Sequence, residues 1–299
     1  MEVTTPFVFQ SDAGVVNDVF NNQPNYLIEY DKSVPGEYCI VYFSSNDLYY
    51  PNSEIAFAEN VLKRNRFEWY QTRIKYGHKH IFIRDIKKQW YLGGINREID
   101  SPRKLLEFLK KECSGYKSVF LGSSAGGFIA VIMGQQVNAE RIYTFNGQFE
   151  ILSLLKKENA ALIDPILYRN RNNRQLLPYY KAVDFIINPD SIFYFHSSRS
   201  KWDIEQAALV NHLPVHILSF HTSNHGVPFL KSNLPAVINL PETELRKLSG
   251  KKMHPLFFSL KMVGLLKTIE GLKGIFRFVW NKIYIHTIQR WKNKASARI

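Results

Sequence analysis

Only two cysteines, Cys39 and Cys113, occur in 299 residues. That is too few for a disulfide framework, and neither has metal-ligand spacing, so no metal site and two separate, reduced, buried thiols are expected. No uncharged apolar run reaches the roughly 18 residues that a membrane-spanning helix needs. The opening residues MEVTTPFVFQ lack a basic start followed by an apolar stretch, so no secretory leader is expected and the chain reads as cytoplasmic. Repeats and low-complexity segments are also missing. Apolar residues make up 45% of the chain, with 21 Phe, 16 Tyr and 5 Trp. That excludes extensive disorder and supplies a large core, for one large α/β domain or two small ones.

Acidic residues are nearly absent from one end. Residues 246–299 hold 13 Lys/Arg against one acid, Glu270, so of the net +13 the other 245 residues carry only 26 basic against 25 acidic groups. The body is electrically ordinary. A charge confined to one terminus points to something that segment does by itself, and no nucleic-acid partner is expected.

The body reads as alternating strands and helices. NYLIEYDK (25–32), EYCIVYFSS (37–45), HIFIRDI (80–86), the run before Gly122, RIYTFNG (141–147), SIFYFHSS (191–198) and VHILSFH (215–221) are strand-like, the last of these closing the series. Helices are expected over most of 55–75, from Pro102 to about Cys113, after Gly126, over 149–161 and over 204–213. This pattern means a mostly parallel sheet with helices on both faces, whose ligands gather at the carboxyl ends of the strands. Residues 162–190, rich in proline and containing RNRNNR, form an irregular insertion and a candidate lid.

Phosphate-binding signatures are absent: there is neither Gly-x-x-x-x-Gly-Lys-Ser/Thr nor Gly-x-Gly-x-x-Gly. What is present is SVFLGSSAGGFIAVIMG (118–134), with Gly122-Ser123-Ser124-Ala125-Gly126 inside it. The bare Gly-x-Ser-x-Gly pattern would arise by chance in roughly one protein of this length in ten, so its flanks must decide. Val119, Phe120 and Leu121 make a buried strand, and Phe128 to Met133 a helix apolar all round. Strand, sharp turn and buried helix are the context of a nucleophile elbow. The glycines let strand and helix approach, and the helix N-terminus with the Ala125 amide would face charge developing on a substrate carbonyl.

A nucleophilic serine requires a base, and the base an orienting acid. Asp203 follows the strand 191–198 and His225 follows the strand 215–221, so Ser124, Asp203 and His225 can converge at one edge of the sheet. Alternatives stand beside each. Asp203 can equally be the N-cap of the helix 204–213. His221 is a rival base, whereas His196 and His216 lie inside strands as core residues. Asp184 and Asp190 precede their strand and belong at its wrong end. The loop Phe43-Ser44-Ser45-Asn46-Asp47 occupies the position from which a second oxyanion amide is expected, from Ser44 or Ser45, although an ordinary turn would read the same.

GSSAGG after an apolar strand, the aspartate loop after FYFHSS and the NHG after the final strand resemble bacterial capsular polysaccharide O-acetyltransferases of the α/β-hydrolase type, over roughly residues 37–235. The resemblance implies an α/β-hydrolase-like fold and transfer of acetyl from acetyl-CoA, through an acetyl-serine, to a sugar hydroxyl. It implies Ser124 as nucleophile, His225 as base, Asp203 as acid, acetyl-CoA as donor substrate rather than a resident cofactor, and a polysaccharide acceptor. Arg169, Arg171 and Arg174 would meet CoA phosphates or an anionic glycan, or simply be solvated. The same residues would serve a serine esterase or lipase, and a noncatalytic hydrolase-like module docked at a membrane assembly is a further alternative.

The division expected is a catalytic domain over 1–248 and a basic amphipathic helical tail over 249–299. In the tail Met262, Leu265, Ile269, Leu272, Phe276, Val279, Trp280 and Ile283 recur at three- and four-residue intervals, while Lys267, Lys273, Arg277 and Asn281 fall largely opposite. With Trp280 and the Trp291-Lys292 pair this suits an anionic bilayer, placing residues 254–299 at the cytoplasmic face of the inner membrane. Packing on the body is a second reading. Self-association through the heptad series 262, 269, 276 and 283 is a third.

Overall fold

The computed structural model describes residues 7–273. The seven apolar segments become β1 (Tyr26–Tyr30), β2 (Tyr38–Phe43), β3 (Lys79–Ile83), β4 (Lys117–Ser123), β5 (Arg141–Phe145), β6 (Ile192–Ser197) and β7 (His216–Phe220). A two-residue strand, β8 (Lys252–Met253), follows the one that the sequence marked as last, and is too short to carry a periodic signal. All eight form one sheet in the order β1-β3-β2-β4-β5-β6-β7-β8, with β1 antiparallel to β3 and the other neighbours parallel. This is an α/β-hydrolase-like sheet.

Successive residues of a strand face opposite sides, and both sides are covered. Cys39, Val41, Phe43 and Phe120 pack beneath α1 (Pro102–Glu112) and α2 (Ala125–Val137), whereas Ile40, Tyr42, Leu121, Phe145 and Phe195 meet the aromatic layer of Trp69, Phe229 and Phe258. Ser101 caps α1 through the Lys104 amide, with Pro102 in the first turn. Every residue of α2 from Ala125 to Gln135 is buried, as a run apolar all round requires.

Three helix boundaries differ from expectation. The segment 55–75 is helical only to Lys63, the chain turning at Asn65 (φ 44°) so that Phe67, Trp69 and Ile74 reach the sheet. Over 149–161 only short helices form, Leu152–Leu155 and the start of Ala160–Ile163, because the Phe149 and Glu150 amides bond the Gln206 side chain instead of continuing a helix. The helix expected over 204–213 begins earlier, as α3 (Lys201–Ala208), because Ser200 caps it. The two thiols are buried but not separate, since Cys113 Sγ lies 3.8 Å from Cys39 Sγ.

Beyond β8, residues 255–273 are helical but bent at Gly264 (φ 77°). Nine residues of straight helix would span about 13 Å, yet the hydroxyls of Ser259 and Thr268 are 2.9 Å apart and buried over Asn233. The chain therefore doubles back. The bend divides the expected apolar stripe: Met262 packs against the core, while Leu265, Ile269 and Leu272, with Leu266, are exposed. Phe276, Val279, Trp280, Ile283, Arg277, Asn281 and the Trp291-Lys292 pair lie outside the described residues. No helix among the described residues is long and apolar enough to cross a membrane.

The elbow depends on bare backbone. A Cβ on Gly122 would sit 2.3 Å from the Gly126 carbonyl carbon, and one on Gly126 would sit 2.5 Å from the Phe43 oxygen. Backbone cannot yield as a side-chain tip does, so Gly122→Ala should cost about 3 kcal/mol, the upper end of overpacking. Gly14→Ala, with no atom within 4 Å of the added carbon, should change stability by under about 0.5 kcal/mol. Urea unfolding of the two variants beside the parent checks this.

Candidate active site

Ser124 lies between the end of β4 at Ser123 and the first turn of α2, with φ 51° and ψ −122°. A non-glycine residue at positive φ is strained, and here surrounding structure holds it: the Ser124 amide donates to Phe145 O at 2.9 Å while its carbonyl accepts from Phe128 N at 3.0 Å. The side chain is thereby turned outward at the carboxyl edge of the sheet.

Three distant residues meet there. Ser124 Oγ is 2.9 Å from His225 Nε2, and His225 Nδ1 is 2.9 Å from Asp203 Oδ1. Asp203 is only 1% exposed, so its carboxylate is shielded where it faces the imidazole. The ambiguity between cap and acid resolves in geometry: Ser200 Oγ accepts the Asp203 amide and caps α3, which leaves the Asp203 side chain free for His225. Trp202 stacks on the imidazole at 5.4 Å between centroids and fixes the plane of the ring. His221 does not approach the serine; its amide donates to Met253 O and its side chain is exposed.

The histidine loop is held by a residue that the sequence reading passed over. Asn146, at φ 45° just past β5, donates from Nδ2 to Ser197 Oγ, Asn224 O and Gly226 O, and its Oδ1 accepts the Ser197 amide. One side chain thus ties the ends of β5 and β6 to the carbonyls on both sides of His225. Its signal in the sequence is only an Asn-Gly pair closing a strand. Gln148 and Trp90 were also passed over. Gln148 Nε2 is 3.4 Å from Ser124 Oγ, and Trp90 Nε1 donates to Gln148 Oε1 at 3.2 Å.

The Ala125 amide opens α2, where no intrahelical acceptor exists for it. The two amides expected to join it are committed elsewhere. Ser44 N–H extends the sheet ladder to Ile83 O, and Ser45 N–H donates to Glu68 Oε2 at 2.5 Å. Burial pushes the Glu68 carboxyl above its ordinary range, opposed by those Ser45 bonds.

Of the three arginines in the insertion, Arg169 pairs with both oxygens of Asp12, at 2.7 and 2.9 Å, joining the insertion to the first helical turn of the chain. Arg171 stacks on Tyr168, and Arg174 is exposed. A cavity of about 230 Å³ lies between this insertion and the loop after β2, lined by Asn46, Asp47, Tyr50, Lys88, Trp90 and Asp164 among others. The remaining histidines lie apart from it. His196 is buried on Ser219, with burial lowering its proton affinity, and His216 pairs with Asp190. Arg246 beside Asp190 holds that carboxyl down at about 2. Asp184 is exposed in a short turn before β6.

Asp203→Asn should slow the reaction of Ser124 with a fluorophosphonate by on the order of 10⁴-fold, because an amide stabilises the wrong imidazole tautomer. His221→Ala should leave that rate unchanged. A severe His221 variant beside a mild His225 variant would reverse the assignment of the base.

No protein-family model and no curated protein sequence matches this chain. Several solved structures are similar to it. A capsule O-acetyltransferase of Neisseria meningitidis serogroup A is 10% identical, over 66% of this chain and 82% of that one, with a TM-score of 0.44. A glycosylation-associated protein complex from Streptococcus agalactiae is 15% identical over 65% and 39%, with a TM-score of 0.42. Esterase B from Lactobacillus rhamnosis is 12% identical over 89% and 91%, with a TM-score of 0.41.

Proposed function

We propose that the protein is a serine-dependent O-acetyltransferase that moves acetyl from acetyl-CoA, through acetyl-Ser124, to a sugar hydroxyl of a bacterial surface polysaccharide. The observation that supports covalent chemistry best is the continuous line Ser124–His225–Asp203, with 2.9 Å at each link. In this reading His225 Nε2 takes the serine proton as Oγ attacks the thioester, and Asp203 holds the Nδ1 proton and steadies the imidazolium. The imidazolium then protonates the departing thiolate, and the same imidazole activates the incoming hydroxyl. The acetyl donor and the glycan acceptor rest on the sequence resemblance. The cavity beside Trp90 is too small for a whole CoA and would take only its acyl-pantetheine end, and in this reading the exposed Arg171 and Arg174 are the candidates to meet its phosphates.

One observation favours hydrolysis as a second reading. The His225 side chain is 36% exposed, so water reaches the base directly. Incubation with acetyl-CoA separates the outcomes. An adduct of about 42 Da that maps to Ser124 is expected, with CoA release at least several-fold faster when a glycan acceptor is added. Ser124→Ala should lose the adduct and slow turnover by on the order of a thousandfold or more. Simple ester cleavage without any adduct from acetyl-CoA would leave the esterase reading instead.

The C-terminal segment, in the same proposal, brings the catalytic body to a membrane-assembled glycan at the cytoplasmic face. Leu265 and Leu266 stand exposed beside Lys261 and Lys267 just past the bend, a combination suited to an anionic interface. Replacing Leu265 and Leu266 by Glu, or ending the chain after Lys273, should abolish cosedimentation with phosphatidylserine vesicles at low salt and leave acetyl-CoA turnover on a soluble acceptor unchanged. A full-length protein that ignores those vesicles would assign the segment to self-association or packing.

A further inference from the structure

We infer that the Gln148 side chain is a donor to the oxyanion, partnered by the Ala125 amide, and that Trp90 is the positioning residue that orients it. This deepens the reading of Ser124 as nucleophile and rests on it. Gln148 is 1% exposed, and its nitrogen faces two acceptors, Ser124 Oγ at 3.4 Å and Asn146 O at 3.3 Å. An amide can be turned over end for end, but not here. The indole N–H of Trp90 can only donate, so it requires the oxygen of Gln148 at 3.2 Å and sends the two amide hydrogens toward Ser124 and Asn146.

The indole is itself fixed by an unusual loop. Lys88, Trp90 and Tyr91 all have positive φ, at 51°, 52° and 62°. The Asp85 carboxylate gathers the amides of Lys87, Gln89 and Tyr91 at 3.1, 2.7 and 2.8 Å, which holds the strained turns in place. Three non-glycine residues in that region, in one loop, make sense if the loop must aim a single ring.

Two consequences follow for the chemistry. A donor at Ser124 Oγ leaves the serine hydrogen to point at His225 Nε2, the direction in which it must leave. When Oγ bonds the carbonyl carbon, the proton passes to His225 and the carbonyl π pair moves to the oxygen on that same carbon, two bonds from Oγ, where the same amide N–H is placed to donate. Collapse of that intermediate returns the pair, breaks the carbon–sulfur bond, and delivers the histidine proton to the thiolate. The commitment of the Ser44 and Ser45 amides to Ile83 and Glu68 is what gives a side-chain donor this role.

The test uses the full chain, a fluorophosphonate probe and 4-nitrophenyl acetate. Gln148→Met, similar in shape but without a donor, should lower the acylation rate constant 10²- to 10³-fold at nearly unchanged KM. Trp90→Phe should lower it by about tenfold, since the amide is then free to turn. Gln148→Glu keeps an acceptor for Trp90 and loses the donor unless it is protonated. Its rate relative to the parent should therefore be low near about pH 8 and rise toward about pH 5, because a buried carboxyl retains its proton to higher pH. A role in folding alone would not produce that pH-dependent recovery. A parent enzyme labelled at Ser124, with Gln148→Met and Gln148→Glu within threefold of it at every pH, would overturn this inference and spare the nucleophile. A parent that is not labelled at Ser124 would overturn both.

Discussion

The close approach of β4 to α2 is the constraint from which the rest of the edge follows. With no Cβ on Gly122 or Gly126, strand and helix touch through backbone, and the Phe43–Ser44 backbone lies against Gly126. That contact leaves Ser124 a conformation that an ordinary residue avoids, φ 51°. It also brings the loop after β2, the start of α2 and the end of β5 into one small volume. A methyl group at either glycine would separate elements whose side chains have to meet within hydrogen-bond distance.

Around that contact the polar groups are arranged in tiers. Asn146 holds the histidine loop by its carbonyls rather than by its side chains, so His225 is positioned without a competing bond to either ring nitrogen. Asp203 takes one ring nitrogen, Ser124 the other, and Trp202 the face. On the far side of the serine, the Trp90 indole donates to Gln148 and the Gln148 nitrogen faces Ser124, a second chain whose sense the indole N–H fixes. Asp85 holds the Trp90 loop through the amides of Gln89 and Tyr91 on either side of it. The serine thus stands between two hydrogen-bonded chains that are anchored on opposite halves of the sheet.

Much of this was legible in the sequence, for identifiable reasons. The inner strands, buried on both faces, are continuous apolar runs, and the half-buried β1 and β7 still keep enough apolar and aromatic residues to be read, whereas two-residue β8 carries no such run. The elbow was readable because its constraint is local: small residues must flank one serine within five positions. Helix ends were less so, because they depended on contacts from elsewhere, such as Gln206 taking the amides of Phe149 and Glu150. Gln148 and Trp90 lie 58 residues apart, and neither has a neighbour pattern that announces the other. A cluster assembled by tertiary contact from single polar residues leaves no periodic trace.

The brevity of β8 has a consequence for the molecule's behaviour among its own copies. An edge strand exposes a row of unpaired amides and carbonyls on which another chain can extend the sheet. Here that edge is two residues long, begins at Lys252 next to Lys251, and is followed at once by the turn into the helical residues 255–273. A second sheet arriving there would find at most a pair of hydrogen bonds and two like charges. The sheet is therefore sealed on that side against edge-to-edge polymerisation, without the cost of closing into a barrel.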